Sequence, residues 1–119
     1  MTLLIGSIGL SGHALACPDR AVDAAQRADS ISSKYKQIYR ERVAVLQGTK
    51  PSMPMVCRLS REIAELEREW IDNMNILKFT CPDIYNELRF GESADYVRWL
   101  ESNYEHSQII TRTCAQEGM

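Results

Sequence analysis

The side chains best equipped for chemistry in this 119-residue chain are its four cysteines, Cys17, Cys57, Cys81 and Cys114. A thiol can ligate a metal, exchange with a disulfide, carry an acyl group or pair with another thiol. Zinc sites usually draw ligands from close pairs, and thiol–disulfide exchange uses Cys-x-x-Cys. Here 39, 23 and 32 residues separate consecutive cysteines, and the Cys-x-x-Cys-His of covalent haem is missing. Neither metal nor cofactor is expected. An even number of cysteines in a short chain favours two disulfides if the chain reaches an oxidising compartment.

Other reactive groups are sparse. His13 lies in the apolar N-terminal stretch, and His106 stands alone beside Glu105. A haem ligand pairing His106 with a methionine has no second feature in its favour. No Gly-x-Ser-x-Gly elbow or phosphate-cradling glycine loop occurs, so no catalytic residue is assigned and the chain is not expected to be an enzyme. The aromatic run "RFGESADYVRWLESNY" is more informative. It sets Phe90, Tyr96, Trp99 and Tyr104 among Arg89 and Arg98. Tryptophan or tyrosine beside arginine is the usual composition of binding hot spots, which makes Arg89, Phe90, Tyr96, Arg98 and Trp99 the candidate partner face. The competing reading is that Trp99 closes one end of the core.

Charge sets limits on partners. Fourteen basic and sixteen acidic side chains give a net charge of −2, all of them at or beyond Asp19. No lysine- or arginine-rich block supplies the footprint of a nucleic-acid binder. No apolar run of about 18 residues could span a bilayer.

The first sixteen residues, "MTLLIGSIGLSGHALA", carry no charge. An apolar stretch passes through a Gly/Ser break to Ala-x-Ala before Cys17, the pattern a signal peptidase cleaves. Residues 1–16 are therefore expected to be a signal peptide and 17–119 a single helical domain, periplasmic or secreted. The basic residues that normally open such a signal are missing. Anchoring as a lipoprotein acylated at Cys17 fits less well: Ala14 stands where an aliphatic residue is wanted, and acylation would leave an odd thiol.

The elements that must position these groups are helices. Ala21, Ala25, Ala28, Tyr35, Ile38, Tyr39 and Leu46 recur at three-and-four spacing from about Pro18 to Gln47, where Gly48 can stop the helix. Val56, Leu59, Ile63, Leu66, Trp70, Met74 and Leu77 form a continuous stripe over about Met53–Phe79, with "REIAELERE" as its solvated face. A short helix is expected over about 82–90, ending at Gly91. Ser93 would cap a last helix to about Cys114 that buries Val97, Leu100, Tyr104, Ser107 and Thr111. The Cys-Pro-Asp tripeptides at 17–19 and 81–83 read as two helix starts, with proline in the first turn and aspartate on the helix dipole.

These elements predict an all-α, antiparallel up-down-up bundle of three long helices plus the short connector. Short connections make consecutive long helices antiparallel neighbours. Cys17 and Cys81 then lie at one end, Cys57 and Cys114 at the other. Helices of this length separate the ends by more than about 30 Å, far beyond the roughly 7 Å a disulfide allows between Cα atoms. Only Cys17–Cys81 with Cys57–Cys114 is compatible with the topology.

Nothing resembles an active site. The functional expectation is a small non-enzymatic accessory or protein-binding factor of the bacterial periplasm or secreted fraction, acting on an unidentified envelope or extracellular protein. The alternative is a helical-bundle carrier of a small apolar ligand or haem.

Overall fold

A computed structural model describes residues 17–49, 51–87 and 96–118. The described residues form four helices, α1 (Asp19–Leu46), α2 (Met53–Thr80), α3 (Pro82–Glu87) and α4 (Tyr96–Gln116), and no strand. The three long helices run up, down and up along a body of 52 × 25 × 23 Å. Each long helix starts or stops within two residues of its expected position wherever that boundary is described.

Local chemistry accounts for the boundaries. The Ser52 hydroxyl accepts the Met55 N–H at 3.4 Å, and Pro54 sits in the first turn of α2. The Cys81 N–H still donates to Leu77 O, while Cys81 O accepts from Tyr85 N, so this residue ends α2 and begins α3. The two Cys-Pro-Asp copies differ in detail. Pro82 is the first residue of α3 as expected, whereas Pro18 lies one position outside α1 and its carbonyl accepts from Ala21 N and Val22 N. The expected Gly91 stop and Ser93 cap lie outside the described residues.

Helix α2 is the spine. Both α1 and α4 pack along it, and they approach each other far less closely. All seven residues of its expected stripe are buried. Because α2 is covered on two sides, it also buries Cys57, Ser60 and Glu67. Glu67 therefore departs from the solvated face expected of "REIAELERE", while its neighbours Glu65, Arg68 and Glu69 remain exposed. Helix α1 buries Ala21, Ala24, Ala25, Ala28 and Ser32, small side chains that let its first half lie close to the core.

The second half of α1 departs from expectation. Tyr39 is 43% and Leu46 49% exposed, outside the core cluster that Ala21, Ala25 and Ala28 join. Cα atoms of Cys17 and Cys81 lie 5.6 Å apart and those of Cys57 and Cys114 5.9 Å, each pair bonded. This is the pairing the topology requires. Each bridge fastens α2 to an outer helix, or to its first residues, at one end of the rod.

Candidate functional site

Where α1 and α4 part, aromatic rings line the gap. Trp70, at the middle of α2, is 1% exposed and forms its floor. The Tyr35 ring meets it edge-on from α1 at 5.4 Å, and Trp99 does so from α4 at 6.2 Å. Tyr39 continues the α1 wall one turn further, 5.9 Å from Tyr35. Lys36, Arg40 and Asn103 complete the walls of a cleft of about 420 Å³. Such a volume is within the range of small-ligand sites.

A polar cluster underlies the α1 wall. Arg42 places its guanidinium 5.1 Å from the centre of the Tyr39 ring and donates to Ser60 Oγ at 3.2 Å. That contact braces the exposed tyrosine ring. Glu67, 1% exposed, accepts from the Ser107 hydroxyl. Burial raises the Glu67 carboxyl above the ordinary carboxylate range, and the Ser107 hydrogen bond and the Arg42 charge only partly oppose this. Burial, then the Glu67 and Tyr39 charges, push the Tyr35 hydroxyl up to about 12, against a smaller opposing effect of Arg42. Near neutral pH Tyr35 is therefore a neutral phenol that can donate as well as accept.

The described residues of the expected partner face, Tyr96, Arg98 and Trp99, do not share one surface. Arg89 and Phe90 lie outside the described residues. Tyr96 is 1% exposed in the core, 6.0 Å from Trp70, so its side chain cannot serve a surface. Burial raises its hydroxyl well above the ordinary tyrosine range, and the neighbouring Trp70 indole opposes this only in part. Arg98 is exposed and Trp99 half-buried. Tyr104 lines a separate groove of about 630 Å³ between α2 and α4, where Arg61, Arg68 and Arg112 alternate with Glu65 and Glu69. Among the described residues of the expected face, Trp99 alone lines the cleft.

Of the cleft residues, sequence reading missed Lys36, Arg40 and Asn103 and took Tyr35, Tyr39 and Trp70 for core alone. Tyr39 falls on the apolar repeat of α1 and so reads as core. The available signal was charge: Lys34, Lys36, Arg40 and Arg42 stand against Glu41 alone in nine residues of a net-negative chain.

His106 is exposed on α4. Among the described residues no group of three or more His, Cys, Asp or Glu is placed to hold a metal ion. No helix among them is long and apolar enough to cross a membrane.

Fold and cleft together define an all-α, disulfide-bonded bundle with an aromatic surface slot between its outer helices. Comparison of the chain with protein-family models, with curated proteins and with solved structures finds no match.

Proposed function

We propose that this chain is an exported, non-enzymatic accessory factor that binds another protein of the bacterial periplasm or secreted fraction. The observation that carries the reading is the cleft: half-open aromatic rings at Tyr39 and Trp99 with Arg40 beside them. Tyrosine, tryptophan and arginine around a partly desolvated slot make up the usual hot-spot chemistry. Export is supported by the two bonded cysteine pairs, which suit an oxidising compartment, and by the Ala-x-Ala before Cys17.

The carrier alternative would seat a small apolar ligand or haem between helices, where Trp70, Met74 and Tyr96 are buried; a ligand co-purifying in native mass spectrometry would favour it.

Two measurements test the proposal. Intact mass of the native protein from its host should correspond to residues 17–119, lighter by the hydrogens of two disulfides and inert to alkylation. A full-length mass with free thiols would remove the case for export. A photo-crosslinking side chain at position 39, in the intact envelope, should give a discrete protein adduct that Trp99→Ala abolishes while leaving the helical spectrum unchanged. Equal adduct yield with a folded Trp99→Ala protein would place binding elsewhere.

A further inference from the structure

Resting on that protein-binding reading, we infer that the cleft between α1 and α4 takes an acidic segment of the partner: one apolar side chain inserts against Trp70, and a neighbouring carboxylate is held by Arg40. Charge supplies the first argument. Other hollows on the described residues include carboxylates in their walls, at Glu65 and Glu69, at Asp19 and Asp23, at Glu62, Glu65 and Glu69, and at Glu69 and Asp72. The aromatic cleft has none, although the chain carries sixteen acidic residues. Its rim carries cations instead, and Arg40 is exposed on α1 at the turn that also bears Tyr39. An arginine fork pairs bidentately with a carboxylate, which gives orientation as well as attraction.

Ring geometry supplies the second argument. Tyr35 and Trp99 meet Trp70 at interplanar angles of 65° and 76°. Edge-to-face tiers of this kind build a slot with a closed floor, not the open coplanar platform on which successive bases stack. A slot of about 420 Å³ accommodates a side chain and its flanking peptide units. Asn103 on the α4 wall donates Nδ2 to Trp99 O at 2.9 Å and has its amide oxygen as an acceptor for that backbone. These features favour an extended peptide over an anionic polymer.

The test is selection of a randomised peptide display library against the intact, oxidised protein, followed by affinity measurement on synthesised winners. Enriched peptides should pair Asp or Glu with an adjacent aromatic or large aliphatic residue. Arg40→Glu, an exposed substitution that leaves the core untouched, should weaken them about tenfold or more through like-charge repulsion. Trp99→Phe, which keeps a ring in the core, should weaken them less. Enriched peptides lacking acids, or unchanged affinity in Arg40→Glu, would overturn the acidic-segment assignment while leaving protein binding standing. No enriched peptide of any composition, together with binding of an oligogalacturonate probe to the same cleft, would overturn both.

Discussion

Glu67 Oε1 accepts a 2.5 Å hydrogen bond from Ser107 Oγ, joining the midpoints of α2 and α4 across forty residues of sequence inside the bundle. The carboxyl is almost wholly removed from water, so its protonated form is favoured by folding. A folded-state value raised above the unfolded one contributes stability at low pH that is lost as pH rises through the folded value. Arg42, Tyr35 and Ser107 are the groups that face it. Glu67→Gln keeps the shape and the hydrogen bond but cannot ionise. Denaturant melts of both proteins at pH 4, 6 and 8 should show the wild type losing ground to Glu67→Gln with rising pH. A constant difference over that range would mean that Glu67 titrates as it does in the unfolded chain.

The two disulfides act at opposite ends of α2, 24 residues apart and so separated by roughly 36 Å. Each closes a long loop, with sequence separations of 64 and 57 residues. Removing either as a Cys→Ser pair should cost about 2–5 kcal/mol, read from the shift in urea midpoint. Digestion without reduction should yield Cys17 linked to Cys81 and Cys57 linked to Cys114. Any linkage of Cys57 to Cys81 would be incompatible with the up-down-up arrangement.

Legibility in the sequence followed burial on one side. Trp70, Met74 and the rest of the α2 stripe, with the cysteine pairing, were readable because one apolar period and one length argument determined them. Glu67 was not, since a helix covered on two faces buries positions outside its apolar stripe, and a glutamate among arginines looks solvated. Tyr39 failed in the opposite sense: its spacing matches Tyr35, yet its exposure depends on where α4 lies. Tyr96 follows the same rule, for a rim position and a core position are adjacent on a helix start. The cleft is a relation between α1 and α4 that neither segment encodes alone.

Close approach of α1 to the core depends on side-chain size. Ala21, Ala25 and Ala28 have no measurable exposure. Ala28→Leu inserts three carbons into filled space and should cost about 1–3 kcal/mol. Ala44→Leu, on the exposed second half of the same helix, should change stability by no more than about 0.5 kcal/mol. Thermal or urea melts of the two variants separate packing from helix propensity, because both replace the same residue by leucine within α1. Equal effects would mean that the alanine stripe does not face the core.

Tyr85 fastens the short helix to the last one. Its hydroxyl accepts the Val97 N–H at 2.9 Å, a bond buried from solvent. Val97 lies in the first turn of α4, where backbone N–H groups have no partner within the helix. The ring is itself buried, and Lys78 sits 5.5 Å from its centre. Tyr85→Phe keeps the ring packing and removes the hydroxyl, leaving that N–H unsatisfied at a cost of about 1–3 kcal/mol. The loss should be local as well as global: hydrogen exchange at Val97 should accelerate by more than exchange at Leu66, in the middle of α2. Uniform acceleration would assign the hydroxyl to general stability, whereas a selective one identifies it as the cap that starts α4 and thereby sets where Trp99 meets the cleft.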